Sequence, residues 1–339
     1  MNGPAFLTGA SGFVGASVLR RLVRSGRQVR ALARTDDAAR SLADAGATPI
    51  AGDLFDMEAL LSGMRGCATV FHVAGVNAVC PRDPEQMMRA NVEGAANIVR
   101  SAAAAGVRRV VHTSSAVTIG EARGTVGRED SPHRGSFLSR YERSKFLGER
   151  RALELGDDLG IEVVCVNPSS VQGPGRTGGS ARLLLELVNR RRPVVVVDTW
   201  LSLVDVDDCA SGHLLAESRG IPGSRYLLNA ASLSTDEAVA VLVRVSGRPR
   251  RVLHLPRLVA SLATAVAGPI GAITTRDTPL CRDAALTIVH GHRYDGSLAE
   301  RELGARYRPV EETLRRTLAW YARNGLVGDL STTAAEGST

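Results

Sequence analysis

Ala5-Phe-Leu-Thr-Gly9-Ala-Ser-Gly12-Phe-Val-Gly15 is the stretch from which the fold can be read. Residues 5–8 form a short apolar run, as in a buried strand, and residues 16–25 follow with helical patterning. Between them the glycines fall at G-x-x-G-x-x-G spacing. The first permits a tight turn, and the second lets backbone N–H groups approach a pyrophosphate at the helix N-terminus. The third allows helix and strand to pack closely. Strand, glycines and helix in that order predict a dinucleotide-binding unit.

The next strand, residues 28–33, bears on which dinucleotide. A site reading the ribose 2′-hydroxyl of NAD places an acid near the end of this strand. Here Ala31-Leu-Ala-Arg34-Thr35 carries no carboxylate before Asp36, and Arg34 is placed to pair with a 2′-phosphate. NADP(H) is therefore favoured. NAD(H) becomes the reading if Arg34 is one more surface arginine and Asp36 turns back to the ribose.

Strands and helices then alternate. Residues 48–54, 68–74, 109–115 and 161–166 read as strands, the last closed by Asn167-Pro168. Helices are expected over residues 85–105 and from Tyr141 to about Leu159. This predicts an α/β fold with a doubly wound parallel Rossmann sheet. Ligands bind at the C-terminal ends of such strands. Gly9, Arg34, Asp53, Ala74, Ser115 and Pro168 all stand at such ends.

The second decisive stretch is Tyr141-Glu-Arg-Ser-Lys145. Of the 42 Lys plus Arg residues, Lys145 is the one lysine. Arginine and lysine differ in shape and hydration, so a site needing a compact ammonium resists the exchange that the rest of the chain has undergone. Four residues apart on a helix, Tyr141 and Lys145 share a face. A free phenol has a pKa of about 10, and a nearby ammonium favours the phenolate, bringing tyrosine towards useful acid/base chemistry.

Composition bounds the remaining possibilities. At 339 residues and 44% hydrophobic, the chain can bury a substantial core. The apolar strand begins within a few residues of the start, so no signal peptide is expected. Cys67, Cys80, Cys165, Cys209 and Cys281 form no C-x-x-C pair; neither a zinc site nor a disulfide framework is expected, and a cytoplasmic location fits. The charge of +7 comes from dispersed arginines with only 4% aromatics, which argues against nucleic acid and for a polyanionic cofactor. His290-Gly-His292 reads as a turn, and no metal is expected.

Gly9-x-x-Gly12-x-x-Gly15, Gly52-Asp53-Leu54, His72-Val-Ala-Gly75, Asn91-Val-Glu-Gly94, Thr113-Ser-Ser-Ala116, Tyr141-x-x-x-Lys145, Pro168-Ser-Ser-Val-Gln-Gly-Pro174 and Val204-Asp-Val-Asp-Asp-Cys-Ala210 together resemble an extended short-chain dehydrogenase/reductase. Within that family the chain most resembles the dihydroflavonol-reductase-like branch and relatives described as NAD-dependent epimerase/dehydratase. The resemblance runs from Phe6 to about Gly325. It implies that Gly9, Ser11, Gly12, Phe13, Val14 and Gly15 hold the dinucleotide, with Asp53 on the adenine amino group beside Leu54. Ala74 and Gly75 would approach the ribose, and Pro168 and Val171 would face the nicotinamide through their backbone. Tyr141 would be the acid/base and Lys145 would bond the nicotinamide ribose. Ser115 would hydrogen-bond the substrate oxygen, with Ser114 as fallback. Sugar-nucleotide epimerases of the family carry an Asn where this chain has Ser170 and an Arg where it has Asn167. That departure argues against a nucleotide-sugar substrate.

Residues 1–175 are thus expected to form the dinucleotide-binding domain, with a strand and helix near residues 200–218 returning to its sheet. Residues 176–327 would form mainly a smaller α/β substrate lobe, and residues 328–339 a disordered tail. Ser234-Thr-Asp-Glu237 is a capping box. Residues 258–275 lack charge but contain a Gly268-Pro269 step, so a pocket wall is preferred over a transmembrane helix, with weak peripheral membrane contact as a lesser reading. The resemblance also suggests a homodimer joined through the 85–105 and 141–159 helices, whose apolar Met87, Met88, Ile98, Phe146 and Leu153 would serve the interface. The leading function is an NADP(H)-dependent oxidoreductase acting on a ketone or aldehyde of a largely apolar small molecule. A nucleotide-sugar epimerase or dehydratase with bound NAD is the enzymatic alternative, and a non-catalytic dinucleotide sensor or scaffold the other.

Overall fold

The computed structural model describes residues 3–178, 180–189, 193–249, 251–255 and 281–328. Its centre is a seven-stranded, all-parallel sheet of order β10-β6-β5-β4-β1-β2-β3. The strands are β1 (Ala5–Thr8), β2 (Val29–Ala33), β3 (Thr48–Ala51), β4 (Thr69–His72), β5 (Arg109–Thr113), β6 (Glu162–Pro168) and β10 (Arg225–Leu228). β1, β4 and β5 are buried along their whole length, as expected of parallel strands covered on both faces.

Helices cover the two faces. On one, α1 (Phe13–Arg24), α2 (Asp36–Asp44) and α7 (Val206–Arg219) cover a core that includes Val18, Leu19, Leu22, Leu42 and Ala216. On the other, α3 (Met57–Met64), α4 (Pro84–Ala104) and α5 (Arg140–Leu159) cover Phe6, Leu60, Ile98, Ala152 and Leu155. α1 shows why its sequence folds this way: Val18, Leu19 and Leu22 turn inward at helical spacing.

The second lobe is assembled from pieces. β7 (Ser170–Gln172), β9 (Trp200–Asp205) and β11 (Ala231–Ser234) form one small sheet, and β8 (Val194–Val197) pairs with β12 (Val252–Leu255). α6 (Ser180–Asn189) and α8 (Thr235–Ser246) accompany them, α8 opening with the capping box expected at Ser234 and Glu237. The expected return near residues 200–218 needs correction: α7 packs against α1 on the main sheet, but β9 belongs to the three-stranded sheet. The returning strand is β10, which pairs with β6.

Carboxylates of the Val204–Ala210 motif fasten the C-terminal helix Val310–Arg323. Arg316 donates to Asp205 at 3.0 Å and Asp207 at 2.5 Å, while Arg308 reaches Asp208 at 2.5 Å and Asp205 at 3.2 Å. Ser17 of α1 also donates to Asp207, at 3.0 Å.

Two further expectations are corrected. Cys80 and Cys281 form a disulfide, joining the loop after β4 to the start of the helix Arg282–His290. Their separation of 201 residues explains why no spacing betrayed them. Cys67, Cys165 and Cys209 are buried free thiols. Met87 and Ile98, taken as interface residues, are fully buried inside the chain, where α4 packs on α5 and the sheet. Met88, Phe146 and Leu153 remain half-buried. No described helix is long and apolar enough to cross a membrane. The uncharged 258–275 segment and the 329–339 tail lie outside the described residues.

Candidate active site

The strand order reverses between β1 and β4, which opens a crevice at their C-terminal ends. Gly9 has φ +73°, and a Cβ there would stand 2.6 Å from the main-chain nitrogen of Ala74. A Cβ on Gly15 would stand 2.0 Å from the carbonyl oxygen of Gly9. Neither position accepts a side chain. Thr35, Asp56, Asp83 and Ser139 cap α2, α3, α4 and α5 with their side chains, whereas the N-cap of α1 is Gly12, which offers none. The first turn of α1 also lacks an acid. Ser11 and Gly12 are exposed, with Phe13 and Val14 half-buried behind them. Helix-end N–H groups left without an internal acceptor or nearby negative charge suit a diphosphate, so these residues fit a dinucleotide.

Arg34 follows β2, is exposed, and enters no ion pair among the described residues. Asp36 is exposed on the first turn of α2. Asp53 is exposed beyond β3, accepting the Phe55 N–H at 2.7 Å, and Leu54 is buried towards α4. These residues belong to the β2–β3 side of the sheet, strands away from β5 and β6.

Beside β4, Thr8 Oγ1 accepts the Ala74 N–H at 3.2 Å and pairs with His72 Nδ1 at 2.8 Å. Asn91 of α4 then grips the loop. Its Oδ1 accepts the Val76 N–H at 2.8 Å, and its Nδ2 donates to the Val76 carbonyl at 3.0 Å and to Ser144 Oγ at 2.9 Å. A Cβ on Gly75 would lie 3.7 Å from Lys145 Nζ, so loop and lysine are neighbours.

Ser115, Tyr141 and Lys145 come together at the end of β5, where they are 9%, 9% and 7% exposed. The Ser115 side chain lies beside the Tyr141 hydroxyl. Lys145 Nζ donates to the Thr113 carbonyl at 2.7 Å. Ser114 Oγ is buried without a partner among the described residues, while its N–H bonds the Val166 carbonyl at 2.8 Å. Asn167 braces the turn, donating to the Ser115 carbonyl at 3.3 Å, Thr118 Oγ1 at 2.9 Å and Glu149 Oε2 at 2.5 Å. Pro168 ends β6 and Val171 is buried in β7.

Electrostatics modify one expectation. Burial raises the Tyr141 pKa above its ordinary value, opposed by the neighbouring Ser115 side chain and the Arg176 guanidinium. Burial also lowers Lys145 to about 8, opposed mainly by Glu149. In the protein alone, then, the phenol is held protonated, and Arg176 is a cation acting on it that the sequence reading missed. Arg176 Nη1 donates to the Val171 carbonyl, and its guanidinium lies 5.6 Å over the Phe13 ring. Nothing in an arginine-rich sequence distinguishes it. Asn91 was noticed only as part of a motif, without a role.

The NAD dependent epimerase/dehydratase family model matches residues 5–228. A Synechocystis sp. protein provisionally named dihydroflavonol 4-reductase is 33% identical, over 95% of both chains. A 2-alkyl-3-oxoalkanoate reductase from Stenotrophomonas maltophilia is 30% identical, over 92% of this chain and 98% of that one. The crystal structure of gox2253 superposes with a TM-score of 0.83 at 28% identity, covering 96% of this chain and 100% of its own. The chain belongs to the NAD-dependent epimerase/dehydratase family of extended short-chain dehydrogenases/reductases, in the dihydroflavonol-reductase-like branch, and is an NAD(P)-dependent oxidoreductase.

Proposed function

We propose that this chain is an NADP(H)-dependent reductase of ketones or aldehydes on largely apolar small molecules, able to run in reverse, with Tyr141 as its acid/base. The observation that carries this reading is the meeting of Ser115 and the Tyr141 hydroxyl in a buried setting, with Lys145 held on Thr113 beside them. Two hydroxyls there can converge on one carbonyl oxygen, Ser115 orienting it and Tyr141 giving up the proton as the oxygen gains charge. The bound nicotinamide supplies the hydride. A phenol held protonated suits the donor role in reduction. Lys145, fixed on Thr113 beside Gly75, orients the ribose end of the cofactor and adds positive charge near the phenol. Gly9, Ser11, Gly12, Phe13, Val14 and Gly15 cradle the diphosphate; Asp53 and Leu54 border the adenine, and Ala74, Gly75, Pro168 and Val171 border the nicotinamide half.

Arg34, exposed and free of ion pairs among the described residues, supports NADP(H) over NAD(H). The reductase relatives support a carbonyl substrate. We also read the chain as a cytoplasmic homodimer using the half-buried Met88, Phe146 and Leu153. The Cys80–Cys281 bridge weighs against a reducing compartment, so the thiol state in the producing cell decides that part.

The test is NADPH and NADH oxidation across a panel of β-keto esters, aryl ketones and aldehydes, for wild type and Tyr141→Phe. Reduction that prefers NADPH and falls by at least about a hundredfold in the variant supports the proposal. Equal rates in both proteins would remove Tyr141 from the chemistry.

A further inference from the structure

Behind the Tyr141 turn lies a cluster that carbonyl reduction leaves unused. Residues 116–121 lead on from Ser115 to Glu121, which meets the segment leaving the helix Arg282–His290. Gly291, at φ +73°, ends that helix, so the sequence reading of a turn holds. The turn brings the His290 and His292 rings to 4.8 Å from each other, beside Glu121. Glu121 is 1% exposed and His290 8%.

Glu121 Oε1 lies 2.6 Å from His292 Nδ1 and 3.4 Å from His290 Nε2. The Tyr294 hydroxyl lies 2.9 Å from the same His292 nitrogen. These contacts do not exhaust the cluster: Glu121 Oε2 and His290 Nε2 are buried without a hydrogen-bond partner among the described residues. Such atoms are costly unless something binds them. Arg134 is paired with Glu142 and reaches the main-chain carbonyl of Glu121, at 3.3 Å, so among the described residues no arginine pairs with the Glu121 carboxylate.

We infer that Glu121, His290 and His292 form a site for a divalent transition ion of the Zn²⁺ class, with the Tyr294 hydroxyl or a water completing four ligands. Two imidazoles and a carboxylate are an ordinary donor set for that ion. Bonds of about 2.0–2.1 Å at tetrahedral angles put ligand atoms about 3.3 Å apart. The His290–Glu121 distance already matches, and the His292–Glu121 contact opens by less than ~1 Å as the ion displaces the proton between them. The ion's positive charge stabilises the buried Glu121 carboxylate. The ion staples the C-terminal segment to the turn that starts at Ser115. Glu121 stands 169 residues before His290 (290 minus 121), which kept the third ligand out of sight in the sequence.

The test uses the full chain without an affinity tag, freed of metal by chelation. Zn²⁺ is titrated by calorimetry, and Co²⁺ is followed by its visible ligand-field absorption. One ion per chain, a raised Tm and a tetrahedral nitrogen/oxygen Co²⁺ spectrum are expected. Glu121→Gln and His290→Gln should each weaken binding on the order of a hundredfold or more, their folding checked by circular dichroism. No binding at micromolar concentrations, undiminished binding in both variants, or a thiolate-type Co²⁺ spectrum overturns the assignment. If both variants misfold, the wild-type stoichiometry and spectrum decide it.

Discussion

The ammonium of Lys145 reaches from α5 to the main-chain carbonyl of Thr113, 2.7 Å away and two residues before Ser115. The lone lysine of an arginine-rich chain is therefore a fixed strut between the helix carrying Tyr141 and the strand end carrying Ser115. It is 7% exposed, so its charge is retained against the cost of burial.

Replacing that strut keeps the charge and loses the fit. In Lys145→Arg a larger, planar guanidinium has to occupy a space shaped for one ammonium. Overpacking should cost about 1–3 kcal/mol of stability without unfolding the chain. Turnover should fall by roughly a hundredfold or more. Thermal melting and single-turnover hydride transfer are the measurements; undiminished transfer in a folded variant would make the lysine incidental.

The pH dependence of stability has a defined sign. Lys145 titrates at about 8 in the folded chain and near about 10.4 when unfolded. Between those values the unfolded chain holds the extra proton, so this group makes stability rise with pH. The buried thiols of Cys67, Cys165 and Cys209, with raised pKa values, act in the opposite direction. Comparing wild type with Lys145→Met cancels them. From pH 7.5 to 9.5, wild-type stability should gain about 2 kcal/mol relative to the variant in urea denaturation. A constant difference would mean the lysine is not desolvated.

What the sequence revealed and what it hid follow from the range of the interactions. Gly9 and Gly15 were legible because a turn and a close approach are written in residues a few positions apart. Tyr141 and Lys145 were legible through helical spacing and the scarcity of lysine. Asn91, Arg176 and Glu121 act on partners remote in the chain or hidden among similar residues, so no spacing exposed them. Met87 and Ile98 fail differently: periodicity identifies an apolar face but not what covers it, and here the chain covers its own.

Cofactor choice turns on Arg34. Arg34→Asp would replace attraction to a 2′-phosphate by repulsion. A charge-assisted hydrogen bond contributes about 1.5–3 kcal/mol, so NADPH affinity should fall at least about tenfold, with NADH affected less. Fluorescence titration of both cofactors measures it. Equal losses, or none, would return Arg34 to the solvated surface.

Asn91 offers a test of positioning separate from chemistry. Its amide satisfies both main-chain groups of Val76 and ties them to Ser144 on α5. Asn91→Ala leaves those groups without their partner, at about 1–3 kcal/mol for each one that water cannot reach. The variant should be measurably less stable, and the loop bearing Gly75 should loosen beside Lys145. Lys145 keeps its bond to Thr113, and Tyr141 and Ser115 do not contact Asn91 through any hydrogen bond, so the chemical step should be nearly spared. We expect the cofactor KM and Kd to rise about tenfold while kcat changes only a few-fold. Ser144→Ala removes one bond of the three and should give a much smaller shift. Were Asn91→Ala to lower kcat severely with cofactor affinity intact, Asn91 would belong with the reacting groups and not with the loop it holds.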